Sequence, residues 1–373
     1  MIDLRSDTVS RPTDAMRADM AAAEVGDDGY GEDPTVNKLQ EMVADLLDKE
    51  TALFVTSGTQ GNLCALLAHC GRGDEYIVGE HAHAYRYEGG GAAVLGSIQP
   101  QPVPINPDGM IDLAAVEAAV KADDVHYART RLLCLENTIS GRVLTLDQMT
   151  DSRLLADKHG LAHHLDGARL WNASVALGVT PAAVAEQFDS VSVCLSKGLG
   201  APMGSLLVGQ AALIKEAHKW RKMLGGALRQ AGMVAAAGIH ALKYHIDRLS
   251  EDHANATRLA EGLGSIEGIE IEAQATNMVF IDVDISRIDV DISKHETPAS
   301  GTLESKTSAN EAFATSHGFG ESQAYVGEVI KKSLLERDIN TTWDGSQSRL
   351  VAHLNVSQRD IDFTVEAFKD LLG

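Results

Sequence analysis

From about residue 36 to residue 245, short apolar runs alternate with helix-length patterns, and few architectures accept that alternation. The runs over 51–55, 75–78, 93–95, 132–136, 162–165, 190–195 and 205–208 predict strands, and segments 36–47, 60–70, 113–120, 146–158, 210–223 and 231–249 predict helices. A continuously apolar strand is buried on both faces, and intervening helices are the crossovers that parallel strands need. The expected class is therefore α/β with a mostly parallel sheet. After residue 246 the order changes. A helix over 254–262, strands over 269–273 and 278–283, a helix over 326–336, a strand over 348–353 and a helix over 358–372 suggest a smaller α+β domain. The expected division is a large domain over 1–245, including an N-terminal arm, and a small domain over 246–373. The last helix opens on Ser357-Gln358-Arg359-Asp360, a capping box with Asp in place of Glu. Segment 286–323 is rich in Ser, Thr, Gly and charge with little apolar periodicity, and reads as a surface insertion.

The 373 residues are enough for two cores, and 44% hydrophobic with 23% charged residues is ordinary for a globular protein. The net charge of −21 argues against nucleic-acid or anionic-membrane partners, which call for basic patches. Cys64, Cys70, Cys134 and Cys194 show no CxxC pairing and each lies in apolar sequence, so buried thiols in a reducing, cytoplasmic setting are expected. No zinc spacing is present, and no metal is expected. No run is long enough to span a bilayer, and the N-terminus lacks an apolar signal region.

Lys197 stands where a charge is unexpected, after the apolar Ser192-Val193-Cys194-Leu195-Ser196 and before Gly198-Leu199-Gly200. A second apolar approach ends in Asp166-Gly167-Ala168-Arg169. A lysine and an acid at two strand ends suit pyridoxal phosphate (PLP), with the lysine as Schiff base and the aspartate on the protonated ring nitrogen. Ser57-Gly58-Thr59-Gln60-Gly61-Asn62 follows a strand and opens a helix. By itself it is an ordinary capped turn. Its free N–H groups and hydroxyls also form an anion cup, and it lacks the Gly-Lys-Ser/Thr of a nucleotide loop. With Lys197 and Asp166 downstream it becomes a seat for the cofactor phosphate.

These stretches resemble the low-specificity L-threonine aldolases, PLP enzymes of the aspartate-aminotransferase fold type (fold type I). The similarity is carried by Ile2-Asp3-Leu4-Arg5-Ser6-Asp7-Thr8-Val9, by residues 26–35, by Ser57-Gly58-Thr59-Gln60, by His164-Leu165-Asp166-Gly167-Ala168-Arg169, and by Leu195-Ser196-Lys197-Gly198-Leu199-Gly200. Trp220-Arg221-Lys222-Met223 and Arg349-Leu350-Val351-Ala352-His353 match as well, so the resemblance spans the chain apart from 286–323. It implies Lys197 as the Schiff-base lysine, Asp166 as the pyridinium partner, and Ser57, Gly58 and Thr59 on the phosphate. It places Ser6, Arg169 and Arg349 on the substrate carboxylate, which a planar guanidinium can grip bidentately. His83 would stack on the cofactor ring and reach the substrate hydroxyl, with His126 as a second active-site histidine. Lys222 and Arg229 would come from a neighbouring subunit, giving a homodimer with shared sites and, beyond it, a homotetramer.

The implied reaction is cleavage of L-threonine or L-allo-threonine to glycine and acetaldehyde. The base is His83, or a water held by His83 and His126; the residues leave both open. The same lysine, aspartate and phosphate cup would also serve a PLP β-eliminating lyase or an amino-acid racemase. A catalytically silent PLP-fold binder is a third reading, against which stand Lys197, Asp166, Arg169 and Arg349.

Overall fold

A computed structural model describes residues 1–284 and 319–372, in two compact units: Ser10–Ser250, and Met1–Val9 together with the chain from Glu251 onward. In the larger unit seven strands form one sheet: β1 (Thr51–Val55), β2 (Asp74–Gly79), β3 (Gln99–Val103), β4 (Arg129–Glu136), β5 (Ala162–Gly167), β6 (Ser190–Cys194) and β7 (Ser205–Gly209). Their order is β1-β7-β6-β5-β4-β2-β3, with β7 antiparallel to both neighbours and the other pairs parallel.

Side-chain alternation explains why these runs are apolar throughout. On β4, Leu133 and Leu135 enter one core cluster while Leu132 and Cys134 enter another. On β1, Ala52 and Phe54 face the first cluster, and Leu53 and Val55 face the helix Gly58–His69 through Cys64 and Ala65. Helices Pro34–Leu46 and Leu146–His159 contribute Val36, Leu39, Val43, Met149 and Ala156 to the first cluster. The apolar residues of these runs are buried on both faces, and truncating a fully buried one such as Leu133 to Ala would cost about 2–5 kcal/mol.

Three expectations need correction. Residues 93–95 are not a strand but lie in the helix Gly91–Gly96, and the strand is β3. Pro100 and Pro102 hid it. β3 is the sheet's edge, and prolines two apart both aim their missing N–H at the unpaired side. The helix expected over 231–249 stops at Tyr244, and the one expected over 254–262 starts earlier, as Leu249–Gly264. The N-terminal arm does not belong to the larger unit. Ile2–Asp3 pairs in parallel with Ile339–Asn340, Leu4 is wholly buried in the smaller unit's core, and Val351 N–H donates to Leu4 C=O at 2.9 Å.

The smaller unit carries an antiparallel sheet in the order Trp343–Asp344, Gln347–Val351, Met278–Val283, Ile269–Ala275. Leu259, Leu263, Val279, Ile281, Ile330, Leu350, Ile361 and Phe368 fill its core. The Ser357 box forms as read: Asp360 N–H donates to Ser357 Oγ at 3.3 Å, and Ser357 N–H to Asp360 Oδ2 at 2.8 Å. Of the insertion read over 286–323, positions up to 318 lie outside the described residues, and 319–323 begin the helix Phe319–Leu335. All four cysteines are free and buried. Among the described residues no helix is long and apolar enough to cross a membrane.

Candidate active site

Strands β5 and β6 are parallel neighbours, with Asp166 level with Ser192. Asp166 therefore closes β5 beside the segment that leads from β6 to the half-buried Lys197. The crevice beyond the C-terminal ends of parallel strands is the usual ligand site of such sheets. Ser10 Oγ donates to Lys197 C=O at 2.7 Å and ties the lysine turn to the chain entering this unit. The helix Gly58–His69 starts nearby, capped by Ser57 Oγ, which accepts from Gln60 N–H at 3.1 Å. Its first turn leaves the N–H groups of Gly58 and Thr59 without intrahelical acceptors. Gly58 is required by crowding, since a Cβ there would lie 2.9 Å from Cys194 Sγ.

Asp166 is almost wholly buried, and its oxygens already hold two donors. Ala168 N–H donates to Oδ1 at 3.0 Å and Asn62 Nδ2 to Oδ2 at 2.7 Å. A carboxylate has further lone pairs, so one more N–H can be taken. Asn62 Nδ2 also donates to Glu88 Oε1 at 2.9 Å, and the same Glu88 oxygen lies 2.9 Å from His83 Nδ1. His83 N–H donates to Glu136 Oε2 at 2.7 Å. His83 does not sit in a loop as expected but begins the short helix His83–Arg86, with Nδ1 held and Nε2 left for chemistry.

The electrostatics are those of several acids in one cleft. The hydrogen bond that His83 Nδ1–H donates to Glu88 is the main reason His83 titrates above the ordinary histidine value, with Asp166 and the Glu88 charge adding to it against partial burial. Burial pushes the Glu88 carboxyl up, opposed by its bond to His83. Glu136, raised to about 7 by burial and then by the Asp166 charge, is within electrostatic reach of Lys197 and Arg169, which both lower it. Behind Asn62, burial drops His164 to about 3 and His69 to about 4, so both rings are neutral.

The other expected residues are placed as follows. Arg169 is half-buried at the start of the helix Leu170–Leu177, three residues after Asp166. Lys222 is exposed near the end of the helix Ala211–Met223. Arg229 is also exposed and pairs with Asp27 at 3.4 Å. His126 is not brought to the cluster. Its side chain is 80% exposed and pairs with Asp124 at 2.6 Å. Its assignment to substrate rests on the resemblance alone. Ser6 and Arg349 lie in the smaller unit, where Arg349 Nη2 donates to Arg5 C=O at 3.3 Å, next to Ser6. His81 is exposed and His163 is bound to Gln187 C=O at 2.9 Å, away from the cluster as read.

The donor set fits PLP: a buried acid for a ring N–H, a lysine at the adjacent strand end, and a helix N-terminus for a phosphate. Ligand atoms of His83, Glu88 and Asp166 lie within 4.8 Å of one another, a spacing that a cation could also use. The oxygens in question already take N–H groups from Asn62, and His83 Nδ1 is spent on Glu88, so the cluster is set for donors rather than for a metal.

Comparison with known proteins agrees. The profile of the family described as beta-eliminating lyase matches residues 3–286. The low specificity L-threonine aldolase of Escherichia coli strain K12 is 54% identical over 283 residues, covering 76% of this chain and 85% of that one. Low-specificity L-threonine aldolase 1 of Arabidopsis thaliana is 46% identical over 380 residues, covering 100% of this chain and 96% of that one. The chain belongs to the beta-eliminating lyase family, with the low-specificity L-threonine aldolases. A solved Leishmania major threonine aldolase shares the fold at a TM-score of 0.77 and 20% identity, with both chains covered fully.

For this member of the lyase family, motif reading missed Asn62, Glu88 and Glu136. Asn62 stands in the Ser57–Asn62 phosphate-cup motif, where nothing in the sequence marks its amide as a donor to Asp166. Glu88 stands in Arg86-Tyr87-Glu88-Gly89-Gly90, where no motif or apolar run marks it, and Glu136 ends an apolar run as Asp166 does. That last parallel, an acid at the C-terminal end of a buried strand, was the available signal.

Proposed function

We propose that this protein uses PLP to cleave the Cα–Cβ bond of L-threonine, L-allo-threonine and related β-hydroxy-α-amino acids, giving glycine and an aldehyde. The observation that carries the reading is the buried Asp166, with lone pairs to spare, closing the strand beside the one that leads to Lys197. Lys197 would hold the cofactor covalently, Asp166 its ring N–H, and the Ser57–Gly58–Thr59 turn its phosphate. Once bound, the cofactor supplies the sink for the electron pair released at Cα. Arg169 faces the substrate carboxylate and orients the bond to be broken. His83, its Nδ1 fixed on Glu88, takes the β-hydroxyl proton through Nε2. The hydroxyl carbon becomes the aldehyde carbonyl as Cα–Cβ parts, and a proton returned to Cα completes glycine. Lys222 and Arg229, both exposed, are read as reaching the phosphate of a second copy, which makes the working enzyme at least a homodimer. Four buried thiols suit a cytoplasmic setting.

The test is aldehyde release from L-threonine, L-allo-threonine and phenylserine, with Lys197→Ala as the control. The wild type should release aldehyde and equimolar glycine. Lys197→Ala should lose turnover and the visible absorbance of the covalently held cofactor together. Pyruvate and ammonia as the main products would sink the aldolase reading and favour β-elimination.

A further inference from the structure

Behind Asp166 runs a line of polar groups that the proposed chemistry does not use. Asn62 is 1% exposed, and His164 and Ser190 are wholly buried. Asn62 Oδ1 lies 3.3 Å from His164 Nε2, His164 Nδ1 lies 2.8 Å from Ser190 Oγ, and Ser190 Oγ lies 2.7 Å from His69 Nε2. The direction of each bond follows from the first. Asn62 gives both N–H groups away, one to Asp166 and one to Glu88, so its Oδ1 can only accept. His164 Nε2 must then carry a hydrogen. A neutral imidazole carries just one, so His164 Nδ1 accepts, and Ser190 Oγ–H is its donor. The hydroxyl's remaining capacity is as an acceptor, filled by His69 Nε2–H. The chain reads one way, from His69 through Ser190 and His164 to Asn62.

We propose that Asn62 is a positioning residue whose amide is locked by this one-way chain, so that one N–H stays on Asp166 and the other on Glu88. Two carboxyl groups in one buried cleft compete for a shared proton. With an N–H committed to each, no proton need bridge them. Asp166 is then left with a free lone pair for the ring nitrogen, while Glu88 stays bonded to His83 Nδ1. The inference rests on the assignment of Asp166 to the cofactor ring.

The first readout is taken without cofactor. In apoprotein labelled with 15N-histidine, with His164 and His69 assigned by His164→Gln and His69→Gln, both rings should be neutral Nε2–H tautomers at neutral pH. Asn62→Leu preserves bulk and removes both partners. It should release the His164 tautomer and weaken PLP binding by about tenfold or more. Ser190→Ala, the gentler variant should Asn62→Leu not fold, should leave His164 on the Nε2–H tautomer that Asn62 sets and give a two- to fivefold weaker PLP affinity, on the order expected for one lost neutral hydrogen bond. An Nδ1–H tautomer for His164 in the wild type would overturn the proposal. So would a folded Ser190→Ala protein with unchanged PLP affinity. If instead Asp166→Asn binds PLP as tightly as wild type, the assignment of Asp166 to the ring fails, and the tautomer result still decides whether the chain orients Asn62.

Discussion

At the scale of single residues, the site is a set of acids whose charges are divided by their donors. Asp166 holds two N–H donors and stays an acceptor for a third. Asp166→Asn should keep the fold and lose turnover by roughly 10²-fold or more, because an amide cannot hold a ring proton by charge. Unchanged turnover with cofactor bound would refute the role. His83 and Glu88 allow a sharper test. A base acts in its neutral form, so the acid limb of the kcat/KM profile should lie at the raised His83 value. Glu88→Gln removes the largest raising influence on His83 and should move that limb to lower pH. A limb that stays in place would mean that another group, or a held water, takes the proton.

At the scale of elements, the helix Gly58–His69 is set so close to β6 that a side chain in its first turn meets the strand. A Cβ on Gly61 would come 2.5 Å from Ser192 Oγ and 3.5 Å from Val55 Cγ2. Ser192 Oγ is buried without a hydrogen-bond partner among the described residues, so it can be removed without loss of a bond. Gly61→Ala alone should destabilise by about 1–3 kcal/mol through overpacking. Adding Ser192→Ala should recover most of that, a coupling readable in a double-mutant cycle by urea unfolding. Additive losses would show that the helix shifts as a body rather than meeting one hydroxyl. The elements also show where sequence patterning stops working. β3 was invisible because its prolines forbid a central strand but not an edge strand, and edge status is set by the neighbours. The Ser357 box was readable because its bonds are local.

At the scale of the whole molecule, Lys222 and Arg229 are exposed on the chain, as groups meant for another copy would be. If Arg229 acts in trans, mixing inactive Lys197→Ala with inactive Arg229→Ala should restore about a quarter of wild-type activity per site on random exchange of two subunits. No recovery after proven exchange would assign Arg229 to its own subunit. The N-terminal arm makes a related point within one chain. Its first strand finds its partner at Ile339–Asn340, at the far end of the sequence, and no local pattern announces such a pairing.

By itself the sequence determined the α/β class, the strands whose apolar runs are buried on both faces, the strand-end positions of Asp166 and Lys197, and the capped turn at Ser57. Each of these follows from local periodicity, capping or a motif contiguous in the chain. Only the tertiary structure decided that Glu88, Glu136, Asn62 and His83 converge on Asp166, that His126 faces solvent, and that the arm joins the smaller unit. Those outcomes depend on which strand ends become neighbours, and sheet order is set by packing between segments far apart in sequence rather than by any one segment's pattern.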